Sequence, residues 1–476
     1  MNRRGFVRGM GCVTAAAASR RAVGKISGAG DAAEVRVRLR PEEVLAEIPA
    51  DFMGLGYEIS SVARAGLLSR EDAVYVQLVR TLGTKGVIRV GGNTSDYSTY
   101  AATGQAVSVP KGTVVNDRML RDLGGFLDAT GWRLIWGLDL GEGTVEAAIA
   151  EAKAVRAAAG PRLLAVEIGN EPDLFPGEGH RKRPYGYEEW YTEWRRYRDA
   201  LRKEMPGLPL AGPDAAGATD WVTRFAVDEG KDLKVLTHHY YREGENPTST
   251  LEKLLRPDPK LLPLLEKLRA ASKISGVPYR ICEVNSFSGG GRPGVSDTFG
   301  AALWVLEYMF ELAAGGCAGV NMETGVNQRG FVSSYSPIGD DEQGHYRATP
   351  EFYGMLAFAQ AGMGRVVGSE VDAGGRNVSA YATAQAGGGM TLTAIHKESS
   401  GDAEVVIEGA GAVREASILR LTGSSMESKT GVRLGGVEVT GSGRWDGGRR
   451  ERVTASGGVL RVRVPAASAA VISWRG

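Results

Sequence analysis

The sequence predicts an α/β fold: a (β/α)8 TIM barrel followed by an all-β sandwich domain that also takes an N-terminal strand. Three patterns predict it. From about residue 50, short apolar runs alternate with segments of helical periodicity, as in repeated βα units around a parallel sheet. Eight such repeats suit a closed barrel. From about Gly364, short segments separated by Gly, Ser and Asn are typical of a β-sandwich.

Residues 1–30 have the features of an export signal. Arg3 and Arg4 precede Phe6 and Val7, and small residues follow at 13–18. This order resembles a twin-arginine signal, which directs folded proteins out of the cytoplasm. A basic, frayed tail is the alternative. We expect an exported protein, periplasmic or secreted.

One strand is predicted between the signal and the barrel, within residues 31–45. Residues Glu34–Leu39 alternate polar and apolar side chains with a period of two, the pattern of a half-exposed strand. This strand has no partner inside the predicted barrel. We expect it to join the C-terminal sandwich, and a strand closing the bottom of the barrel is the alternative.

The barrel is assigned to residues 46–362 and the sandwich to residues 363–476. The predicted barrel strands are Phe52–Tyr57, Gly86–Gly91, Trp132–Leu138, Leu163–Gly169, Leu208–Gly212, Leu233–His239, Tyr279–Val284 and Ala318–Met322. The predicted barrel helices include Val145–Ala158, Glu188–Lys203, Leu251–Ser272 and Thr298–Ala314. The predicted sandwich strands are Asn377–Ala382, Met390–Ile395, Ala403–Ile407, Ala416–Leu421, Val459–Val464 and Ala469–Trp474.

Composition and charge exclude several classes of protein. The 476 residues are 43% hydrophobic and 24% charged, which excludes wholesale disorder. A net charge of +1 gives no reason to expect nucleic acid as a partner. No apolar run reaches the roughly 18 residues that a membrane span needs. Cys12, Cys282 and Cys317 form no zinc-ligand pattern with the five histidines, so we expect no metal and no cofactor. The oligomeric state is left open.

Two glutamates stand where predicted barrel strands end. Glu171 follows strand four directly after Asn170, and Pro172 stiffens the turn behind it. Glu283 ends strand seven. Strands four and seven lie on opposite sides of the barrel, so the two carboxylates are expected to face each other across its mouth.

Two facing carboxylates suit cleavage of a glycosidic bond with retention of configuration. Glu171 would be the acid/base, because the charge of Glu283 raises its pKa, and Glu283 would be the nucleophile. The alternative is that each glutamate caps a helix or pairs with an arginine.

The segments around these glutamates have a recognisable order. Asn170-Glu171-Pro172 is typical of clan A retaining glycosidases, and Arg89–Asp96, Leu236–Tyr241 and Gly289–Gly291 with Ser296–Phe299 are more specific. Together they resemble glycoside hydrolase family 79, which contains heparanase and microbial β-glucuronidases. The resemblance runs from about residue 50 to the end of the chain. It implies a retaining hydrolase with a carbohydrate substrate.

Several residues are expected to hydrogen-bond Glu283 or to support the site around it. Tyr240, at the end of strand six, can donate a hydrogen bond to it. Arg89, on strand two, can hold it ionised through a charge-assisted bond, with an ion pair in the barrel interior as the alternative. His238 or His239 would support the site, and a buried, satisfied histidine is equally open.

Other residues are assigned to the sugar. Asn170 can bond the 2-hydroxyl, a contact that strengthens in the transition state. The resemblance implies that Asp96, in the loop after strand two, accepts bonds from sugar hydroxyls. Glu58, just past strand one, is a weaker candidate for the same task.

Recognition of a uronic acid departs from the family pattern. The family holds the sugar carboxylate with a glycine loop and two tyrosines, and one of those tyrosine positions is Ser288 here. The other falls in the loop after strand eight, which offers Phe331 and Tyr335. A serine hydroxyl can still donate, but its reach is shorter.

Other donors remain for a carboxylate. The backbone N–H groups of Gly289 and Gly290 are available, and Arg292 or Arg329 can supply charge. We therefore expect an exo-acting β-glucuronidase on glucuronic-acid-containing glycans or glycosides. One alternative is the same mechanism on a neutral glucoside, galactoside or xyloside. Another is a non-catalytic carbohydrate-binding protein, against which the two facing carboxylates argue.

Overall fold

The computed structural model describes residues 32–324, 333–341, 343–362, 364–411 and 413–475. The predicted export signal therefore lies outside the described residues and stays a prediction. Arg329 and Phe331 also lie outside them. Within the described residues, no helix is both long and apolar enough to cross a membrane.

The secondary structure alternates in the barrel and is all β after it. The strands are β1 (Ala33–Glu47), β2 (Gly54–Glu58), β3 (Val87–Gly91), β4 (Ser98–Tyr100), β5 (Thr113–Val115), β6 (Arg133–Leu138), β7 (Leu163–Ile168), β8 (Ala211–Ala215), β9 (Val235–Tyr241), β10 (Tyr279–Asn285), β11 (Val320–Glu323), β12 (Ile338–Asp340), β13 (Tyr346–Ala348), β14 (Arg365–Asp372), β15 (Val378–Ala384), β16 (Gly389–His396), β17 (Ala403–Glu408), β18 (Glu415–Thr422), β19 (Arg433–Leu434), β20 (Glu451–Thr454), β21 (Leu460–Val464) and β22 (Ser468–Arg475). The α-helices are α1 (Ile59–Val62), α2 (Ala73–Leu82), α3 (Asp117–Thr130), α4 (Val145–Ala159), α5 (Phe175–Glu178), α6 (Tyr187–Glu204), α7 (Thr219–Asp228), α8 (Leu251–Leu255), α9 (Leu261–Ser275), α10 (Phe299–Ala314) and α11 (Pro350–Gln360).

Eight parallel strands form the barrel. Its sheet runs in the order β7-β6-β3-β2-β11-β10-β9-β8, and a parallel bridge between Val166 and Leu210 joins the two ends. Neighbours around the barrel are therefore neighbours in the chain, and all eight predicted strands are present. Their interior runs are almost wholly buried, as expected for strands covered on both faces.

Proline is involved in two of the predicted boundaries that are wrong. The fifth barrel strand, β8, covers residues 211–215, three residues later than predicted, because it continues through Pro213. The segment predicted as one helix at 251–272 is two helices, α8 and α9. Arg256, extended with ψ 152° before Pro257, ends the first, as the residue before a proline tends to do.

The C-terminal domain is built on one ten-stranded sheet. Strand β1 pairs antiparallel with β14 and parallel with β17, so the prediction that the N-terminal strand joins this domain is confirmed. Strand β14 was not predicted, and Gly368 interrupts its apolar pattern. One core cluster contains Val462 and Ile472 from distant parts of the strand order, so the sheet folds over itself as a sandwich. The predicted fold class is confirmed.

Helix α10 joins the two domains. Nearly all of its side chains are buried, because it packs against α11 and also faces the sandwich. Phe310 stacks on Tyr381 of β15 at 5.1 Å between ring centroids, and Glu307 pairs with Lys397 just after β16. The helix follows the loop that carries the predicted glycine segment, so the sandwich supports the barrel behind the site.

Candidate active site

A cavity of about 840 Å³ opens at the carboxyl ends of the barrel strands. Its walls include Glu171, His239, Tyr241, Glu283, Ser288 and Tyr335. The volume falls in the range of sites that enclose small molecules, about 300–1,000 Å³. The cavity is therefore large enough for a sugar ring and the atoms next to it.

Glu171 is held in an unusual backbone conformation. It lies three residues after β7 with φ 47° and ψ 48°, in the left-handed region that non-glycine residues seldom adopt. Its backbone N–H donates to the carbonyl oxygen of Asp214 at 2.9 Å, and Pro172 begins a short 3-10 turn. The end of the strand, this hydrogen bond and the turn together fix the position of the Glu171 carboxyl group. The residue as a whole is 8% exposed.

Glu283 lies near the end of β10 with both carboxylate oxygens engaged. Arg89 Nη1 donates to Oε2 at 2.9 Å, and the Tyr241 hydroxyl donates to Oε1 at 3.0 Å. One oxygen of Glu283 and one of Glu171 lie within 4.8 Å of each other. The structure thus brings together the two carboxylates that the sequence places on opposite sides of the barrel.

His239 connects the carboxylates. Its Nδ1 lies 2.9 Å from Glu171 Oε1 and 3.7 Å from Glu283 Oε2, and its Nε2 lies 2.8 Å from Asp214 Oδ1. Burial alone would lower the pKa of His239, but the Asp214 and Glu283 carboxylates hold it well above its ordinary value. His239 is therefore an imidazolium that donates from both ring nitrogens.

Of the β9 residues that the sequence offered, the structure selects His239 over His238 and replaces Tyr240 with Tyr241. The strand runs to Tyr241, two residues beyond its predicted end, and alternate residues face opposite sides. His239 and Tyr241 therefore contact the glutamates. His238 instead contacts the backbone oxygen of His239, and burial lowers its pKa to about 4. The Tyr240 hydroxyl lines part of the cavity but donates to Asp258 at 2.7 Å, not to Glu283.

Arg89 is the centre of the charge network beneath the cavity. Its guanidinium is fully buried and contacts three carboxylates, Glu167 at 3.2 Å, Asp214 at 2.5 Å and Glu283 at 2.9 Å. A fourth bond, of 2.8 Å, reaches Asn170 Oδ1. The predicted bond between Arg89 and Glu283 is present, as part of a larger network than the sequence suggested.

Asp214 is a site residue that sequence reasoning missed. It contacts both cations of the network and adopts φ 59° near the end of β8. Burial would raise the pKa of Asp214, but Arg89 and His239 lower it below its ordinary value. An aspartate at the carboxyl end of barrel strand five is the signal that could have identified it. The predicted strand stopped at Gly212, so Asp214 was placed outside it.

Asp96 requires a correction. Its carboxylate accepts backbone N–H bonds from Leu140 at 3.0 Å and from Gly141 and Asn170 at 2.9 Å each. The residue is 2% exposed and is not part of the cavity wall. Asp96 therefore holds the loops after three barrel strands together, and does not face sugar hydroxyls as predicted.

Glu58, unlike Asp96, lies in the cavity wall, where its carboxyl group can reach a bound sugar. Its Oε2 accepts from the Thr94 N–H at 2.8 Å and from the Thr94 hydroxyl at 2.6 Å. Burial and the charge of Glu283 raise the pKa of Glu58 to about 7. Asn170, at 1% exposure, donates from Nδ2 to Asn93 and accepts from Arg89, and its role toward a sugar stays a prediction.

The loop residues predicted to bind a sugar carboxylate surround one part of the cavity. Ser288, Gly289 and Gly290 line it together with Tyr335. Gly289 and Gly290 have φ of 79° and 90°, a conformation that favours glycine. The Tyr335 ring lies 6.2 Å from the Tyr241 ring, nearly parallel to it. Arg292 instead pairs with Glu245 at 2.5 Å.

Glu171, His239 and Glu283 also have the donor set of a metal site, with ligand atoms within 4.8 Å of one another. His239 would have to lose a proton to bind a metal, because each ring nitrogen already donates to a carboxylate. The three residues are better described as two carboxylates bridged by an imidazolium.

Comparison with known proteins finds similarity to one glycosidase family and to two β-glucuronidases. Residues 376–471 match the C-terminal beta domain of glycosyl hydrolase family 79. A β-glucuronidase of Neurospora crassa is 28% identical over 341 residues, covering 62% of this chain and 60% of the relative. A β-glucuronidase of Aspergillus niger is 28% identical over 315 residues, covering 58% of each. The match thus spans about three fifths of these relatives.

Solved structures share the fold. A 4-O-α-L-rhamnosyl-β-D-glucuronidase of Fusarium oxysporum superposes with a TM-score of 0.76 at 18% identity, over 92% of this chain and 99% of that one. A family 51 arabinofuranosidase of Xanthomonas axonopodis has a TM-score of 0.67 at 15% identity, over 93% and 100%. At these identities the likeness concerns the architecture, a barrel with a β-sandwich.

Proposed function

We propose that this chain, whose resemblance to glycoside hydrolase family 79 is confirmed by its C-terminal domain and its curated relatives, is a retaining, exo-acting β-glucuronidase. One observation carries the mechanism. Oxygens of Glu171 and Glu283 lie within 4.8 Å across the cavity. Retaining glycosidases hold their carboxyl groups about 5–5.5 Å apart, whereas inverting ones need about 6.5–9.5 Å to admit a water.

In the first step Glu283 attacks the anomeric carbon. A bond forms between that carbon and a Glu283 oxygen while the glycosidic bond breaks, and Glu171 gives its proton to the departing oxygen. Arg89 and Tyr241 each donate a hydrogen bond to Glu283 and orient its carboxyl group toward the cavity. The imidazolium of His239 then faces a newly ionised Glu171 at 2.9 Å, which stabilises the charge that the step creates.

In the second step Glu171 takes a proton from water, and the oxygen of that water displaces Glu283 from the anomeric carbon. Burial raises the pKa of Glu171, and the negative charge of Glu283 adds to the rise. Once Glu283 is esterified that repulsion is gone, so the pKa of Glu171 falls and the residue can act as a base. The same carboxyl group thus serves both steps.

Glu171→Gln tests the acid/base role. We expect turnover of a substrate with a poor leaving group to fall by about 10²–10⁴-fold. A dinitrophenyl glycoside needs no proton at its leaving oxygen, and azide needs no base, so this pair should restore turnover. In the wild type, kcat/KM should fall as pH rises through the raised pKa of Glu171, and the variant should lack this decline. Failure of azide to accelerate the variant would contradict the assignment.

The glycone is tested with matched aryl β-glucuronide and β-glucoside substrates at equal concentration. Gly289, Gly290 and Tyr335 support a carboxylate-bearing sugar, and we expect the glucuronide to be preferred. NMR of the first-formed product should show the β-anomer. The serine at position 288 favours the second candidate, a neutral β-glycoside, and a clear preference for the glucoside would establish it instead. Hydrolysis of any aryl glycoside excludes a purely carbohydrate-binding protein.

A further inference from the structure

Glu323 is a buried acid in the cavity with no part in the mechanism above. It is the last residue of β11, is 4% exposed and belongs to the cavity wall. No hydrogen-bond partner for its Oε2 is present in the described parts of the chain. Strand eight was predicted to end at Met322, so the sequence did not place this residue at the site.

A glycine on the neighbouring strand makes room for the Glu323 carboxyl group. On the neighbouring strand β2, a side chain at Gly56 would place its Cβ 2.5 Å from Glu323 Oε2. Glycine therefore leaves the room that the carboxyl group occupies. A polar oxygen kept in a buried site without a protein partner is costly, and such groups call for an explanation.

Charged and titratable groups face Glu323 from every neighbouring element. Glu283 faces it from β10 and Glu58 from β2, and both carboxylates would repel its anionic form. The cations Arg89 of β3 and His239 of β9 also face it, but the carboxylates that they pair with are others. Three tyrosines complete the surroundings: Tyr57, Tyr241 and Tyr335.

The charges in this region do not balance if every acid is ionised. Six carboxyl groups share two cations, Arg89 and His239, which leaves four negative charges uncompensated; the six are Glu58, Glu167, Glu171, Asp214, Glu283 and Glu323. Uncompensated buried charge is avoided by retaining protons.

The contacts indicate where protons stay. Asp214 and Glu283 are bonded to cations, and Glu58 accepts two hydrogen bonds from Thr94. The Oε2 of Glu323 accepts none from the described residues. Burial raises the pKa of Glu323 well above its ordinary value, and the charge of Glu283 adds to the rise.

We propose that Glu323 is a specificity-determining residue that binds the glycone as a neutral carboxylic acid, donating its O–H to an oxygen of the sugar. The proposal rests on the function proposed above. Once Glu323 loses its proton, it can no longer donate, and it repels a sugar that carries its own carboxylate. Affinity for a uronide therefore falls as pH rises through the Glu323 titration, and affinity for a neutral glycoside falls less.

The test is the pH dependence of KM for an aryl β-glucuronide, measured upward from pH 5 to the highest pH at which the protein stays folded. In the wild type we expect KM to rise at least about tenfold, the equivalent of one charge-assisted hydrogen bond. Glu323→Gln keeps a donor that does not ionise, so its KM should rise less with pH than that of the wild type, and the remaining rise should reflect Glu58. Glu323→Ala should raise KM about 10- to 100-fold at pH 5, with a smaller effect on kcat.

Glu151→Gln is the matched control. Glu151 is 3% exposed, accepts from Trp136 Nε1 at 2.8 Å and lies outside the cavity wall, and burial raises its pKa to about 7. The same change there should leave the pH dependence of KM as in the wild type. If Glu323→Gln shows that same dependence, or if Glu323→Ala binds the glucuronide normally at pH 5, the proposal is wrong.

Failure of the proposed function gives a different result. Wild-type protein that hydrolyses the glucoside but not the glucuronide contradicts the function, and the same KM series on the glucoside then tests the Glu323 donor with a smaller expected rise. If no glycoside is hydrolysed, NMR titration with glucuronate compares wild type and Glu323→Gln directly. pH-independent glucuronate binding by the wild type would refute the role of Glu323.

Discussion

Glu283→Gln lowers kcat by about 10⁴-fold or more while the protein stays folded. The amide oxygen is too weak a nucleophile to displace the aglycone, so no glycosyl-enzyme forms. Glutamine has the shape of glutamate, and its oxygen can still accept from Arg89 or Tyr241. The loss should therefore appear in kcat with any leaving group, in contrast to Glu171→Gln, which spares activated substrates.

The measurement is steady-state turnover of an aryl glucuronide together with thermal unfolding. Glu151→Gln, an isosteric change of another buried glutamate, serves as control and should keep near-normal turnover. Mass spectrometry should show no glycosylated Glu283→Gln protein after incubation with a slow substrate. Turnover above about one hundredth of the wild-type rate, in protein free of wild-type contamination, would remove Glu283 from the nucleophile role.

Arg89→Lys should destabilise the fold by about 3–5 kcal/mol and abolish most activity. The three nitrogens of the Arg89 guanidinium each donate to a different carboxylate: Glu167, Glu283 and Asp214. A single ammonium group cannot reproduce these three contacts. At least one carboxylate would then be buried without a cation. The loss is measured as the free energy of unfolding in urea at pH 7, together with kcat/KM.

The effect of Arg89→Lys should depend on pH with a definite sign. The pKa of Asp214 is depressed in the folded protein, so its contribution to stability is present above its unfolded pKa and is lost as pH falls through the folded one. Without Arg89 the acid would retain its proton more readily. The destabilisation should therefore be larger at pH 7 than at pH 4.

Arg280→Lys is the control for Arg89→Lys. Arg280 is 3% exposed, and its described bonds go to Asn321 and to backbone oxygens such as that of Phe52. Replacing it should destabilise the protein without a marked difference between pH 7 and pH 4. An Arg89→Lys variant whose loss is equally independent of pH would show that the charge balance is not what Arg89 contributes.

Much of the fold was predictable because its pattern is local. Seven of the eight barrel strands begin and end within two residues of their predicted bounds, since each is a continuous apolar run between polar segments. Strand β8 is the exception, because Pro213 inside it reads as an end. The N-terminal strand was predictable because its polar and apolar residues alternate. Its place in the sandwich was predictable because eight other segments already supply the strands of the barrel.

The site was predictable in its chemistry and less so in its register. Glu171 and Glu283 follow from their positions at strand ends. Tyr241 was missed by one residue, and His239 was named only as an alternative to His238, because the end of β9 was placed two residues early. Glu323 was missed for the same reason at β11. An error of one residue reverses which side chains face the cavity.

The amino-acid sequence by itself determined the barrel, the sandwich and the two glutamates, because strand periodicity and residue type are properties of short segments. Only the tertiary structure decided that Arg89 also bonds Asp214, 125 residues away, that Asp214 and His239 complete the charge network, and that Asp96 is turned inward. Electrostatic partners in a closed barrel come from strands far apart in the chain, and their distances depend on how every intervening unit packs.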